Sequence, residues 1–446
     1  MNCLIRRALG IQAATALAAS LGVALWTAPT LADTTLTPGA TNTEITPIGE
    51  TRYEISGGER SAGPAPNVFH HFTQFDVGQG HEAIFVVPAS IENVIGLIES
   101  ADPARINGLL GLTGASSNLY LVSPGGVLFG PEAQLSLPAD LMVTTADGLI
   151  FNETELVAVQ SEGSFDATTL TGTPSAYVFT LLEPTAAIEN QGTLEVGDNR
   201  SITFLAGNVQ TSGSLIAPGG TINLAAVPGG YTVRLSRPGA LLSLELTPNQ
   251  ADLPEFTPTP IGPETFGSAT LPALLTGGSA TSVGEIIENP DGSFSLVGTV
   301  TPETTTGPNL DEVGTVVVQG RIDVSDTIGG GVSVVAPRVA LIGADITADG
   351  SSVAGSIQIG SLPVTFQADA PQNLDTVYIY GDRNTRLSAS GLEPDSSGGL
   401  IYMWADNTVQ YYGGAEVAGE SSTLFIDAGV QLQRIVPRTS TRPVRR

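Results

Sequence analysis

The chain has 446 residues, 44 of them acidic and 17 basic, for a net charge of −27. All 17 basic residues are arginine, and Cys3 is the only cysteine. Such a surface repels nucleic acid and anionic membranes, and a single cysteine excludes a framework of internal disulfides.

In chain order, Arg6 and Arg7 precede a mostly apolar run from Ala8 to Trp26, and small residues follow in TAPTLADT. These are the charged, apolar and small-residue regions of a secretory signal peptide, with cleavage expected after Ala32. The run is also nearly long enough to span a bilayer as an anchor. The small-residue end and the Thr-rich sequence beyond it favour cleavage. Removing residues 1–32 takes the net charge from −27 to −29 and leaves no cysteine. The expected product is exported and soluble, and its core must form without disulfides. A cysteine-free chain also suits threading through a second membrane.

The stretch FHHFTQFDVGQGHEAIF, Phe69 to Phe85, holds all three histidines: His70, His71 and His81. On a strand, adjacent residues point to opposite faces, so His70 and His71 cannot grip one ion together. No metal site is expected. The phenylalanines Phe69, Phe72, Phe75 and Phe85 are expected to pack as a cap.

Beyond this stretch, helical periodicity is nearly absent. Short β-rich runs such as NLYLV, SITFLAG, TINLAAV, GVSVVA and VYIYG alternate with Gly, Asn, Asp and Pro. Ile188, Leu194, Ile202, Val209, Leu215 and Ile222 recur six to eight residues apart, so three strands make a rung of about 20 residues, a solenoid period. A β-sandwich would need longer intervals. The expected fold is all-β: a right-handed, single-stranded parallel β-helix with an N-terminal cap and extra-helical excursions. About 12 to 16 rungs would make a rod of about 60–75 Å. Residues 33–245 are expected to form the first β-helical domain. Residues 246–311, with nine prolines between Thr247 and Asp311, read as an excursion or linker. A second irregular stretch runs from Ser361 to Leu374. Rungs continue over 312–433, and a basic tail, 434–446, is expected to be disordered.

Enzymatic chemistry is not expected and no cofactor is implied. The nucleophile elbow Gly-x-Ser-x-Gly is absent. The acidic candidates Asp345 with Asp349, and Asp382 near Arg383 and Arg386, are scattered, and a calcium-binding nonapeptide is missing. In IYMWADNTVQYYGG, Tyr402 and Trp404 share a face by period two and present a possible stacking surface for a glycan ring. The favoured reading of this pair is a core or capping rung.

NVFHHFTQFDVGQGHEAIFVVP and DPARINGLLGLTGASSNLYLVSPGGVLFGPEAQLSL resemble the opening of the haemagglutination-activity domain of filamentous haemagglutinin-like exoproteins. AAIENQGTLEV, GSLIAPGGTINLAAVPG and GGLIYMWADNTVQYYGG are similar to rungs of its cyanobacterial members. The resemblance covers nearly all of 42–433. It departs at Ser123-Pro124-Gly125-Gly126-Val127, where the family has Asn-Pro-Asn-Gly-Ile, and at Asp102-Pro103, where it has Asn-Pro. The resemblance implies a secreted, cell-surface, adhesin-like exoprotein of two-partner secretion, recognised by an outer-membrane barrel transporter with periplasmic repeats. It implies recognition or capping roles for Asn67, Phe69, His70, Phe72, Phe75, Gly78, Asn107, Gly108, Asn118, Leu119, Pro124, Gly126 and Val127. A surface glycan or matrix receptor is a possible partner. A β-helical polysaccharide-binding or polysaccharide-degrading exoprotein is the alternative.

Overall fold

The computed structural model describes residues 34–160, 166–180, 186–236, 241–249, 258, 282–288, 294–299, 314–361 and 374–434. The signal segment, most of 246–311, 362–373 and the tail beyond Arg434 lie outside the described residues.

The described chain is a parallel β-helix with three faces. The first face stacks ten parallel strands, from Asn67–Asp76 through Asn93–Ile98, Asn118–Val122 and Leu141–Thr144 to Leu400–Ala405 and Thr423–Ala428. The second face stacks nine, from Ala104–Ile106 to Gln431–Arg434. The third face is a five-stranded sheet ending at Gln134–Ser136, followed by a six-stranded one starting at Thr193–Glu195. Ten stacked strands at the usual spacing make a coil about 45 Å long. This is shorter than the 12 to 16 rungs read from sequence, because part of the chain is spent outside the coil. The right-handed sense is the one that parallel crossover connections take.

Alternation builds the core. In Asn67–Asp76, Val68 and Phe72 face the interior while Phe69 faces outward. In-register pairing then stacks like on like. The column Val68, Val94, Leu119, Leu141, Ile202, Ile222, Val332, Ile357 and Ile401 runs up the first face. Each of these is buried, which contributes about 1.5–3 kcal/mol per side chain. The six periodic residues from Ile188 to Ile222 all sit in this interior.

Two features were not legible in sequence. The N-terminal end is closed by the strands between Thr35 and Arg60. Thr35–Pro38 and Glu59–Arg60 pair antiparallel to Asn67–Asp76, and Thr43–Ile48 pairs antiparallel to Arg52–Gly57. The phenylalanines are therefore not the cap: Phe72, Phe75 and Phe85 lie beneath it in the first rung, and Phe69 lies on the other face of its strand. The second feature is an antiparallel five-stranded sheet lying outside the coil. Its strands are Gly148–Phe151, Glu155–Ala158, Ala176–Phe179, Tyr231–Ser236 and Ser243–Pro248. The span 33–245 is thus not made of rungs throughout, and its boundary cuts this sheet's last strand. The sheet packs on the outer side of the first face through Leu149, Phe151, Val233, Leu244 and Phe179 against Phe69, Ile95, Leu97, Val122 and Leu205.

The two parts of this sheet both leave the coil between a first-face strand and the next second-face strand. Insertions at that one corner leave the stacking of rungs intact. Among the described residues of 246–311 a hairpin pairs Ser282–Glu288 with Phe294–Thr299.

Candidate recognition site

The resemblance-derived residues gather in the first three rungs. Asn67, Asn93 and Asn118 start successive first-face strands and stand in register. The Asn93 side-chain amide donates to Asn67 Oδ1 at 2.8 Å, and that of Asn118 to Asn93 Oδ1 at 2.9 Å. Asn67 Nδ2 donates to the carbonyls of Leu170 and Gly172, both at 2.8 Å. Asn118 Oδ1 accepts from the Asp140 amide at 3.2 Å. Asn67 and Asn93 are fully buried. The result is an asparagine ladder clamping three rungs to each other and to the loop at 170–172. Asn93 was missed in sequence, although its separations of 26 and 25 residues from its neighbours equal one rung.

All three histidines bind the cap. His70 Nδ1 meets the Thr43 hydroxyl at 3.2 Å, and His81 Nδ1 bonds that of Thr34. The His71 amide donates to Thr41 Oγ1 at 2.9 Å, and its carbonyl accepts from the Gly39 amide at 2.6 Å. As expected, His70 and His71 point to opposite faces. His70 packs beside Phe72 and Phe85. His71 Nε2 donates to the Val159 carbonyl at 2.9 Å and lies 2.9 Å from the Glu99 carboxylate, so it ties the first rung to the outer sheet. Burial, aided by the Arg60 charge, lowers the His70 pKa from 6.5 to about 4, which keeps its ring neutral. Among the described residues no group of three metal-ligating side chains forms.

Phe72 meets Phe75 edge to face at 4.9 Å, and Phe69 meets Phe151 of the outer sheet in the same way at 5.7 Å. Two corners depend on glycine and asparagine. A Cβ on Gly108 would lie 2.3 Å from the His81 carbonyl oxygen and 2.4 Å from that of Gly78. Beside it, Asn107 Oδ1 accepts from the Glu132 amide at 3.0 Å, and the Gly78 amide donates to Thr34 Oγ1 at 2.9 Å. At Ser123-Pro124-Gly125-Gly126 the Gly126 amide donates to the Ser123 carbonyl at 2.9 Å, and Ser123 Oγ donates to the Gly126 carbonyl at 2.8 Å. Gly126 has φ of +104°, a conformation that L side chains avoid. Ser123 closes the turn without the family's asparagines. Leu119 and Val127 are core. Outside this turn lies a cavity of about 280 Å³, with Leu128 between Arg105 and Glu189 of the adjacent rungs.

Far from these rungs, Tyr402 stacks on Phe425 at 5.1 Å with 10° between planes and is only 7% exposed. Of the two sequence readings of the Tyr402–Trp404 pair, the covered rung describes Tyr402, over which the following rung lies. Trp404 reaches the surface in part, its Nε1 donating to Asp406 Oδ1 at 2.9 Å.

A family model described as TPS secretion domain matches residues 31–256. None of the curated proteins matches the chain. Among solved structures, the chain is similar to the HMW1 secretion domain from Haemophilus influenzae, with 14% identity and a TM-score of 0.43, covering 90% of this chain and 97% of that one. It is also similar to the filamentous hemagglutinin secretion domain, with 12% identity and a TM-score of 0.40, covering 88% of this chain and 99% of that one.

Proposed function

The chain belongs to the TPS secretion domain family, whose match spans just over half of it, and from that premise we propose how it is exported and what it then does. The family is one of secreted exoproteins of two-partner systems. In our reading, the signal segment 1–32 is cleaved near Ala32, and a dedicated outer-membrane barrel transporter with periplasmic repeats recognises residues 33–245. The chain then crosses unfolded, folds outside, and acts as an adhesin at the cell surface, with a glycan or matrix component as its receptor.

The observation that carries this reading is the closed N-terminal end of the coil. The N-terminal end is closed by its own antiparallel strands and clamped by the asparagine ladder. Such an end supplies a template. Each later rung docks on the one before it, satisfying its backbone groups and burying its inward side chains at once. Sequential burial outside the cell biases an emerging chain outward without a nucleotide energy source.

Fusing residues 1–256 to a reporter, with the cognate transporter co-expressed, tests the export half. The reporter is expected in the medium or at the cell surface; retention in the periplasm overturns the reading. Phe69→Ala with Phe72→Ala is expected to lower the exported fraction several-fold. Binding to a glycan or matrix array by the purified protein tests the adhesin half.

A further inference from the structure

The three histidines of the chain all stand where the cap meets the first rung, and each is bonded to a threonine of residues 34–43. Thr41 Oγ1 and Thr43 Oγ1 are themselves 2.7 Å apart. One line of hydrogen bonds therefore runs from the His70 ring through two hydroxyls to the His71 backbone. Apolar anchoring of the cap is thin by comparison. In its strands Thr35–Pro38, Thr43–Ile48 and Arg52–Gly57, Ile55 is the one fully buried apolar side chain. A unit with few buried apolar contacts opens before the rest of the fold does.

The two buried histidines differ in what a proton would meet. His71 Nε2 lies beside the Glu99 carboxylate. His70 is fully buried between Phe72 and Phe85, and among the described residues its Nε2 has no hydrogen-bond partner. The cap backbone closes directly over this ring: a Cβ on Gly58 would lie 3.0 Å from its Cε1. On the neighbouring strand Glu59–Arg60, the Arg60 charge opposes a second positive charge, and the Glu59 carboxylate is bonded to Asn42 Nδ2 at 2.5 Å. The other neighbours, Thr43, Gly58, Phe72 and Phe85, carry no charge.

We propose that the cap is a lid released by acid, with His70 as its trigger: the closed site cannot hold a proton on this ring, so on acidification the strands between Thr35 and Arg60 lift off the first rung while the rungs beyond stay folded.

The chemistry follows from the two ring nitrogens. An imidazolium donates at both, and here Nδ1 has Thr43 while Nε2 would be a buried, charged donor with nothing to accept from it. Lifting the cap admits water to the ring. The ring titrates at about 4 under the closed cap and near 6.5 in water, so full protonation favours the open lid by about 300-fold. Release uncovers the edges of Asn67–Asp76 and Glu82–Val86, which the cap strands now pair. The parallel ladders of later rungs do not involve the cap.

Amide hydrogen exchange of the full exported chain, read as protection factors at pH 7.5 and 4.5, tests this. Protection over Thr35–Pro38 and Arg52–Gly57 is expected to fall by about 80-fold between these values, while Asn118–Val122 and Ser201–Ala206 keep theirs. His70→Asn takes up no proton and can still bond Thr43, so its cap is expected to stay protected at pH 4.5. Arg60→Gln alters an exposed position and removes the like charge, and is expected to shrink the loss. A cap equally protected at both pH values, a loss shared by the later rungs, or a loss that neither substitution reduces overturns the proposal.

Discussion

Single residues at the capped end carry disproportionate weight because each is buried with a fixed partner. His70 is neutral in the folded state with a pKa of about 4, whereas the unfolded chain takes up its proton near 6.5. The unfolded state therefore binds more protons between these values. Stability is complete above pH 6.5 and declines as pH falls toward 4, by about 3 kcal/mol in total. Chemical denaturation at pH 7.5 and 4.5 should show this loss, and His70→Asn should reduce the difference between the two. Asn93→Ala removes the middle of the ladder, leaving Asn67 Oδ1 without the donor it has now. The expected cost is roughly 1–3 kcal/mol by denaturant titration. The His71 ring holds the Val159 carbonyl and the Glu99 carboxylate from a buried position. His71→Ser is expected to cost a similar amount, roughly 1–3 kcal/mol.

At the scale of elements, the outer sheet and the first face form a second core separate from the coil interior. Phe69 is its contact from the first rung and meets Phe151 edge to face. Phe69→Ala is expected to cost about 3–5 kcal/mol and to increase protease cleavage within 148–180 while the rungs stay resistant. The corner at Gly108 behaves differently. Added volume there meets two main-chain oxygens that cannot turn away, so Gly108→Ala must shift the backbone of the 78–81 turn. A loss of about 1–3 kcal/mol is expected, read as a lowered unfolding midpoint and a lower exported yield.

For the whole molecule, the N-terminal end of the coil is shielded by its own strands. The strands between Thr35 and Arg60 cover the edge of Asn67–Asp76 and the rings beneath it. A chain lacking residues 33–60 is expected to aggregate at concentrations where the full chain remains dispersed, as light scattering would show, because it exposes a long apolar strand edge. The shape also explains the tolerance of long insertions: they leave at one corner, so the ladder of hydrogen bonds continues past each of them.

What the sequence determined by itself was the repeating unit. Period-two alternation and the six-to-eight spacing from Ile188 to Ile222 dictate a stacked coil, since a strand buries one side by parity alone. The adjacency of His70 and His71 dictated that they face apart, and the first-rung motifs located the candidate site. Where the chain leaves the coil was decided by tertiary structure. GLIF, AYVF and YTVRLS have the same β character as rung strands, and only packing against Phe69, Ile95 and Leu205 assigns them to an outer antiparallel sheet. The identity of the cap, the link from Asn93 to its neighbours and the covering of Tyr402 were likewise tertiary. Each depends on which residues stand one rung apart, and that distance is set by turn and insertion lengths that local pattern does not encode.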